Sequence, residues 1–515
     1  MNPAKEKKYY LKIGNAQELS GSDKIIYRAL EILPGALSWT TLLLVVFLSW
    51  AAPVFIAFFI IAFDLYWLFK TVFLSLHLQA GFKRTRKHLK IKWFERLKKK
   101  QPLRWPEIHH LLFYPFYNES FEVLDTTFAS LLSCNYDHQK IMVVLGAEAR
   151  AGQEALEIAA KIKEKYGRHF SGFLVTIHPD DIPGEIAGKG SNETWMGRQA
   201  EKELLQKNRL DEKKVIVSVF DADTQIYPEY FGCLTWAFLK SKKPHRSSFQ
   251  PIPFFHNNIW DAPAFSRVAS LSCTFWQMMQ QARPERLTTF SSQALSFQAL
   301  KEMDFWTPKN VSEDSRVFWK ALLAFDGDYR AVPLYYPVSM DANLAESFWQ
   351  TAKNVYKQQR RWGWGAENIP FLLFGCLKNK EISGWKKFKH NFNQIEGFWS
   401  WATNTPMIFL LGWLPLFLGG GVFNQTALSY NLPQITRWIM TLAMVGIVSS
   451  VVYTFYLIPQ KPLRYGRFKH LSVVLQWILI PVSLIFFGAI PGLEAQTRLM
   501  LGKYMGFWVT PKERI

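Results

Sequence analysis

Three groups of residues in this 515-residue chain could do chemistry. The first is Asp221-Ala222-Asp223, which ends the β-branched and aromatic run 215–220, a pattern that predicts a buried strand. Open α/β sheets gather ligands at the C-terminal ends of strands, and two carboxylates one residue apart repel each other unless a cation lies between them. Oxygen-only donors favour Mg²⁺ or Mn²⁺, and such an ion would hold a diphosphate. Alone, the pair also reads as an acidic turn. The second group, Ser312-Glu313-Asp314, opens the helical stretch 315–324. A carboxylate there could take a proton from a hydroxyl, although acidic residues are also ordinary in a first helical turn. The third is Gln358-Gln359-Arg360-Arg361-Trp362. On a helix Gln358, Arg361 and Trp362 share a face, giving an amide, a fixed cation and an aromatic wall. The cation suits a departing diphosphate and the indole a sugar ring; an aromatic-basic helix near a membrane would show the same pattern.

These groups need a scaffold that brings them together, and the pattern of residues 104–382 supplies one. Strands are predicted over 109–113, 140–145, 172–177 and 215–220, alternating with helices over 121–133, 151–166 and 196–206. That alternation implies an α/β domain with a mostly parallel sheet. The insertion 244–289, with Gln250-Pro251-Ile252-Pro253 and Asn257-Asn258-Ile259-Trp260, falls between the metal strand and the base and is expected to shape an acceptor site.

Apolar segments flank this domain. Residues 36–52 and 54–79 are each long enough to cross a hydrocarbon layer of about 30 Å, and their tight joint at Pro53 makes them a hairpin. The Lys/Arg run 83–100 follows directly, which places that side in the cytoplasm. Asp64 lies within the second segment with Lys70 close by, as a functional carboxylate or a structural pair. Residues 385–392 alternate aromatic and basic side chains like a helix lying on a bilayer. Residues 398–422 and 435–458 are long enough to span. The segment 471–490 is read as re-entrant or interfacial, bent near Pro481, because a span would carry the basic tail outside.

The net charge of +20 is clustered beside apolar segments and no nucleic-acid-binding motif accompanies it, so no nucleic-acid partner is expected. Four widely separated cysteines suggest neither a disulfide framework nor a zinc site, and no signal peptide is read at the N-terminus.

In this order the motifs resemble the membrane-integrated glycosyltransferases of family 2, the group of cellulose and hyaluronan synthases. Pro115, Tyr117, Asn118 and Glu119 match the family's Pro-x-Tyr-Asn-Glu strand end, and Gly188 to Asn192 its lysine-containing loop. Asp221 and Asp223 match the Asp-x-Asp, Asp314 the base of Thr-Glu-Asp, and Gln358, Arg361 and Trp362 the Gln-x-x-Arg-Trp. Phe507, Val509, Thr510 and Lys512 fit the Phe-x-Val-Thr-x-Lys gating loop. The match covers residues 111–512. One departure is Leu145-Gly146-Ala147-Glu148-Ala149-Arg150, where the family holds its nucleoside with an Asp-Asp-Gly or Asp-Gly-Ser segment. Glu148 is the candidate substitute, and Arg150 could contact the ligand differently.

The resemblance implies a GT-A-type, Rossmann-like cytosolic domain (105–383) inserted between transmembrane helices. Around it lie an N-terminal segment (1–33), a hairpin (34–80), a basic linker (81–104), an interfacial helix (384–396), C-terminal membrane or re-entrant helices (397–492) and a gating-loop-like tail (493–515). It implies an inverting transfer from a nucleotide-sugar, of the UDP-sugar kind, with Mg²⁺ or Mn²⁺ on Asp221 and Asp223. Asp223 is expected to be the more direct ligand and Asp314 the base, next to Glu313. Donor contacts fall to Pro115, Tyr117, Asn118, Glu119, Glu148 and Lys189, and diphosphate or acceptor contacts to Gln358, Arg361 and Trp362. The acceptor is a growing polysaccharide or a membrane lipid, the expected location is the plasma (inner) membrane with membrane lipids as partners, and an inactive scaffold or transporter is the remote alternative.

Overall fold

The computed structural model describes residues 8–466 and 468–511. Its centre is one eight-stranded mixed sheet in the order β3-β2-β1-β4-β7-β6-β8-β5. The strands are β1 (His109–Phe116), β2 (Ile141–Glu148), β3 (Gly172–His178), β4 (Val215–Val219), β5 (Gln225–Ile226), β6 (Ser247–Phe254), β7 (Ala294–Ser296) and β8 (Arg330–Ser339). The first half, β3-β2-β1-β4, is parallel and Rossmann-like. Both faces of this half are buried: Leu111 and Phe113 of β1 enter one apolar core, Leu112 and Tyr114 the other. Doubly covered strands read as continuous apolar runs, which is why the sequence reveals them.

The second half departs from the expected mostly parallel sheet. β7 runs antiparallel to both β4 and β6, and β5 antiparallel to β8, while β6 and β8 are parallel with a register irregularity between Gln250 and Ile252. Pro251 and Pro253 in β6 and Pro333 and Pro337 in β8 break the sequence signal of a strand, because proline lacks the ladder donor. The structure accommodates them through that irregularity.

The helices used below are α1 (Gly21–Ala51), α2 (Pro53–Leu89), α3 (Phe121–Leu132), α4 (Gly152–Tyr166), α5 (Lys189–Ala200), α6 (Ala264–Gln281), α7 (Glu313–Ala324), α8 (Phe348–Gly363), α9 (Gly384–Phe409), α10 (Ala427–Ala443) and α11 (Ile490–Met500). Among the described residues, four helical stretches are long and apolar enough to cross a membrane: 21–51, 53–89, 427–457 and 469–500. A fifth arises if α9 and 411–418, bent by 49°, count as one span. The α/β fold class with apolar helices before and after it, as expected from the sequence, is the one observed.

Two close approaches tie these helices to the sheet domain, and a third ties two of them to each other. A Cβ on Gly81 of α2 would lie 2.3 Å from the Met278 carbonyl oxygen of α6. One on Gly363, at the end of α8, would meet Gly492 Cα of α11 at 3.0 Å, and one on Gly35 of α1 would meet the Gln496 carbonyl at 2.7 Å. The stretch 469–500 also touches the α/β domain along its length, through Gln476 on Arg267 at 2.7 Å and Phe487 stacked on Phe265 at 5.0 Å.

His110, fully buried in β1, shares a hydrogen bond of 2.8 Å between its Nε2 and the Thr235 hydroxyl. Burial, with a small contribution from His109, pushes its imidazole down to about 3. The unfolded chain takes that proton near pH 6.5, so this contribution to stability is complete above pH ~6.5 and lost as pH falls toward 3. At pH 5 the loss is about 2 kcal/mol. The melting temperature of His110→Gln in detergent is therefore expected to fall less between pH 7.5 and 5 than that of the wild type.

Candidate active site

The chain passes from β1 to β2 and β3 on one side, then returns to place β4 on the other side of β1. The crevice at the C-terminal ends of β1 and β4 is thus a topological switch point, where such sheets bind ligands. β4 delivers Asp221 there, β1 delivers Pro115 and Tyr117, α5 begins with Lys189 and α7 begins with Glu313 and Asp314. All of these residues line one cavity of about 1990 Å³.

Its polar centre is the Lys189 ammonium, which is almost fully buried. Nζ lies 2.9 Å from Asp221, 3.0 Å from Asp314, 3.6 Å from Glu313 and 3.7 Å from Glu193. Burial acts to lower the lysine, yet the four carboxyl groups hold it well above its ordinary value. In return the acids are crowded. Burial, reinforced by Asp314, pushes Glu313 up to about 8. Burial also raises Glu193 well above the carboxylate range, and raises Asp314 against the pull of Lys189.

Four carboxyl groups around one ammonium leave an excess of negative charge or require shared protons. Glu193, Glu313 and Asp314 each offer an oxygen within 4.8 Å of the others. In donor type and charge the set fits a divalent cation, and oxygen-only ligands suit Mg²⁺ or Mn²⁺.

The two members of Asp-x-Asp part company. Asp221 lines the cavity and accepts a 2.8 Å hydrogen bond from the Ser291 hydroxyl. Asp223 is fully buried and off the cavity wall, and its carboxylate accepts the Asp341 amide at 2.8 Å. The expectation that Asp223 is the more direct ligand thus meets a side chain built into the adjoining loop.

At the donor end, Tyr117, Glu119 and Glu148 line the wall with Pro115, and Asn118 does not. The Glu119 carboxylate accepts the Tyr117 amide at 2.8 Å. Arg150 occupies the position of departure from the family pattern: its Nε donates to Glu148 at 2.6 Å, and its guanidinium lies 4.4 Å from the Tyr117 ring centroid. Gln358, Arg361 and Trp362 line the opposite wall, with Trp362 edge-on to Phe290. From the tail, Phe507, Val509 and Thr510 line the cavity, and Arg361 sits 4.9 Å from the Phe507 ring centroid. Lys512 lies outside the described residues.

Three contributors escaped the sequence reading. Glu193 is one turn beyond Lys189 in a helix that begins seven residues before the expected 196–206; residues 189–194 are polar but buried around the charged centre, so no apolar period marks them. Ser291 positions Asp221. Glu367 accepts the Val311 and Ser312 amides at 3.0 and 2.9 Å and fixes the corner that carries Glu313 and Asp314. Its place, five residues after Trp362, was a usable signal.

No protein-family model and no curated protein sequence matches this chain. Solved structures do resemble it. A mannosyltransferase from Pyrobaculum calidifontis, solved with GDP-Man and Mn²⁺, is 14% identical over 74% of this chain and 99% of its own, with a TM-score of 0.42. S. aureus TarS 1-349 with UDP-GlcNAc is 14% identical over 68% of this chain and 91% of its own, at 0.30. GalNAc-T7 with UDP, GalNAc and Mn²⁺ is 12% identical over 56% and 57%, at 0.31. Such scores leave the function of this chain to its own residues.

Two outcomes test this geometry. Lys189→Met strands the carboxyl groups, and is expected to cost about 3–5 kcal/mol at pH 8 and less at pH 5, where they accept protons, as read by thermal unfolding. Gly188→Ala places a Cβ 2.6 Å from Phe507. It is expected to release the tail and speed tryptic cleavage at Lys503, and to lower the melting temperature as well, because Gly188 sits at φ +157°, which a Cβ disfavours.

Proposed function

We propose that this chain is a membrane-embedded inverting glycosyltransferase with a GT-A-type domain, moving a sugar from a nucleotide-sugar to an acceptor hydroxyl. One observation carries the reading. A single cavity runs from the Lys189-carboxylate centre, past Arg361 and Trp362, to Asp64, Trp413 and Thr436 on the apolar helices. A donor site and an acceptor path from the membrane therefore share one space.

Asp314 is the base. Its raised pKa, caused by burial, makes it a better proton acceptor than an ordinary aspartate. The acceptor oxygen attacks the anomeric carbon as its proton passes to the Asp314 carboxylate. The bond from that carbon to the diphosphate breaks, and its electron pair leaves with the nucleoside diphosphate. Positive charge grows on the sugar and negative charge on the leaving group. Lys189 and Arg361 face the latter, with Lys512 as the tail's candidate, and Trp362 offers the sugar a flat wall. Asp221, with the two glutamates, would hold Mg²⁺ or Mn²⁺, leaving Asp314 to take the proton, and the ion when bound would supply Lewis-acid neutralisation of the diphosphate. An α-linked donor gives a β-linked product. Tyr117, Glu148 and Arg150 form the nucleoside end.

Two acceptors suit the cavity: a growing polysaccharide led between the apolar helices, and a lipid hydroxyl. The domain is assigned to the cytoplasmic side of the plasma (inner) membrane by the basic run 83–100. Contacts of 469–500 with the α/β domain support the interfacial reading of 471–490, and the tail's return to the cavity supports a gating role.

The test is release of nucleoside diphosphate by the detergent-purified protein from a panel of nucleotide-sugars with Mg²⁺ or Mn²⁺ and membrane lipid extract. Asp314→Asn is expected to lower release by at least about 10²-fold while donor binding persists. In the wild type, the acid limb of kcat/KM is expected above pH ~4, the ordinary aspartate value. Full release by Asp314→Asn removes it as the base. Absence of donor binding with every nucleotide-sugar favours a scaffold or transporter.

A further inference from the structure

Away from the carboxylate centre, the same cavity holds a second charged region. Arg283, directly after α6, lines the cavity at only 8% exposure. Its guanidinium lies 5.1 Å from the Phe73 ring centroid of α2, and its Nε makes no hydrogen bond among the described residues. The Glu285 carboxylate is 3.9 Å away, beyond hydrogen-bond reach, and half-exposed. Arg286 donates to the neutral amide oxygen of Asn393 on α9. A further acid here, Glu396, is engaged by Lys70. Lys386 and Lys389 of α9 add to the same wall, the former donating to the Gly327 carbonyl at 3.1 Å. Arg283 thus has only a long 3.9 Å ion pair with the half-exposed Glu285, and Arg286 has no ion pair among the described residues; arginine is the side chain suited to phosphate.

We propose that Arg283 and Arg286 bind the phosphate of a lipid headgroup, seated between the 282–290 loop and the cavity face of α9. The surroundings favour a lipid over a free anion. On α9, Trp385, Phe388 and Phe392 form a ridge of stacked rings, 5.7 and 5.8 Å apart between centroids, and 72%, 57% and 52% exposed, with Trp385 at the cavity wall. Exposed aromatic rings interleaved with lysines on one helix suit the headgroup boundary of a bilayer. Phe73, against Arg283, belongs to the apolar part of α2, so acyl chains have an apolar path beside the arginines.

The position also ties the headgroup to the chemistry. Ser291, whose hydroxyl bonds Asp221, is five positions after Arg286, so their Cα atoms lie within about 18 Å of each other and the phosphate site is linked closely in sequence to the carboxylate centre. This deepens the glycosyltransferase reading and rests on it: the acceptor is a phosphate-bearing lipid whose distal hydroxyl reaches Asp314.

The test uses the full chain in phosphatidylcholine nanodiscs doped with phosphatidylglycerol, and native mass spectrometry to count phosphatidylglycerol molecules retained after transfer to detergent. Arg283→Gln with Arg286→Gln is expected to lower retention roughly tenfold or more, as for loss of a charge-assisted pair. Lys99→Gln with Lys100→Gln, in the basic run but off the cavity wall, is expected to leave it unchanged. If the double arginine variant misfolds by thermal unfolding, Arg286→Gln alone carries the comparison. Equal retention by the arginine variants, or equal loss in the lysine control, overturns the site. Arginine-dependent binding of millimolar inorganic phosphate by the wild type, with no lipid retained, overturns the lipid as its source. Nucleotide-sugar binding, measured by calorimetry on the same samples, separates the two readings: lipid retention that depends on the arginines without donor binding sinks the transferase and spares the lipid site.

Discussion

The whole active region depends on one buried ammonium. Lys189 stands among Asp221, Glu193, Glu313 and Asp314, which come from three elements, and removing it would leave their charges in a poorly solvated space. The ion fixes the relation between the end of β4, the start of α5 and the start of α7. A neighbour of this kind also sets the chemistry. Carboxyl groups crowded around one cation cannot all be ionised without further positive charge, so the site is suited both to a divalent ion and to shared protons.

The sheet's first half and the residues at its edge were legible in the sequence, because doubly buried strands and the motif order carry strong signals. Asp221, Glu313, Asp314, Gln358, Arg361 and Trp362 all line the cavity, as do Phe507, Val509 and Thr510. What remained hidden has physical causes. Glu193 sits on a polar helical turn whose burial is electrostatic rather than apolar, so periodicity is blind to it. Asp223 and Asp221 look alike in sequence, and only three dimensions separate them: Asp221 faces Lys189 and Ser291, Asp223 the Asp341 amide. β6 and β8 carry prolines that argue against strands when each is read by itself, and their pairing exists only in three dimensions.

The apolar helices meet the sheet domain and one another through close backbone approaches as well as through side-chain pairs. The contacts at Gly81, Gly363 and Gly35 admit no Cβ without displacement, so α2, α11 and α1 are held at fixed depth against their partners. A cavity bounded by both parts keeps its shape only if that depth is constant. The broken stretch 469–500 links the sheet domain to the tail, whose Phe507 packs against Gly188 at the threshold of Lys189.

The short strand β5 has a consequence for the sheet's outer edge. It pairs only Gln225 and Ile226 with the ten-residue β8, so most of that outer edge has no strand beside it. Such an edge is a template for intermolecular pairing; here the Leu334 carbonyl meets His88 of α2, the Tyr335 amide donates to Gln281 of α6, and Pro333 and Pro337 have no amide proton to offer. Two helices that precede β8 in the chain thus close its backbone with side chains, in place of a full-length ninth strand.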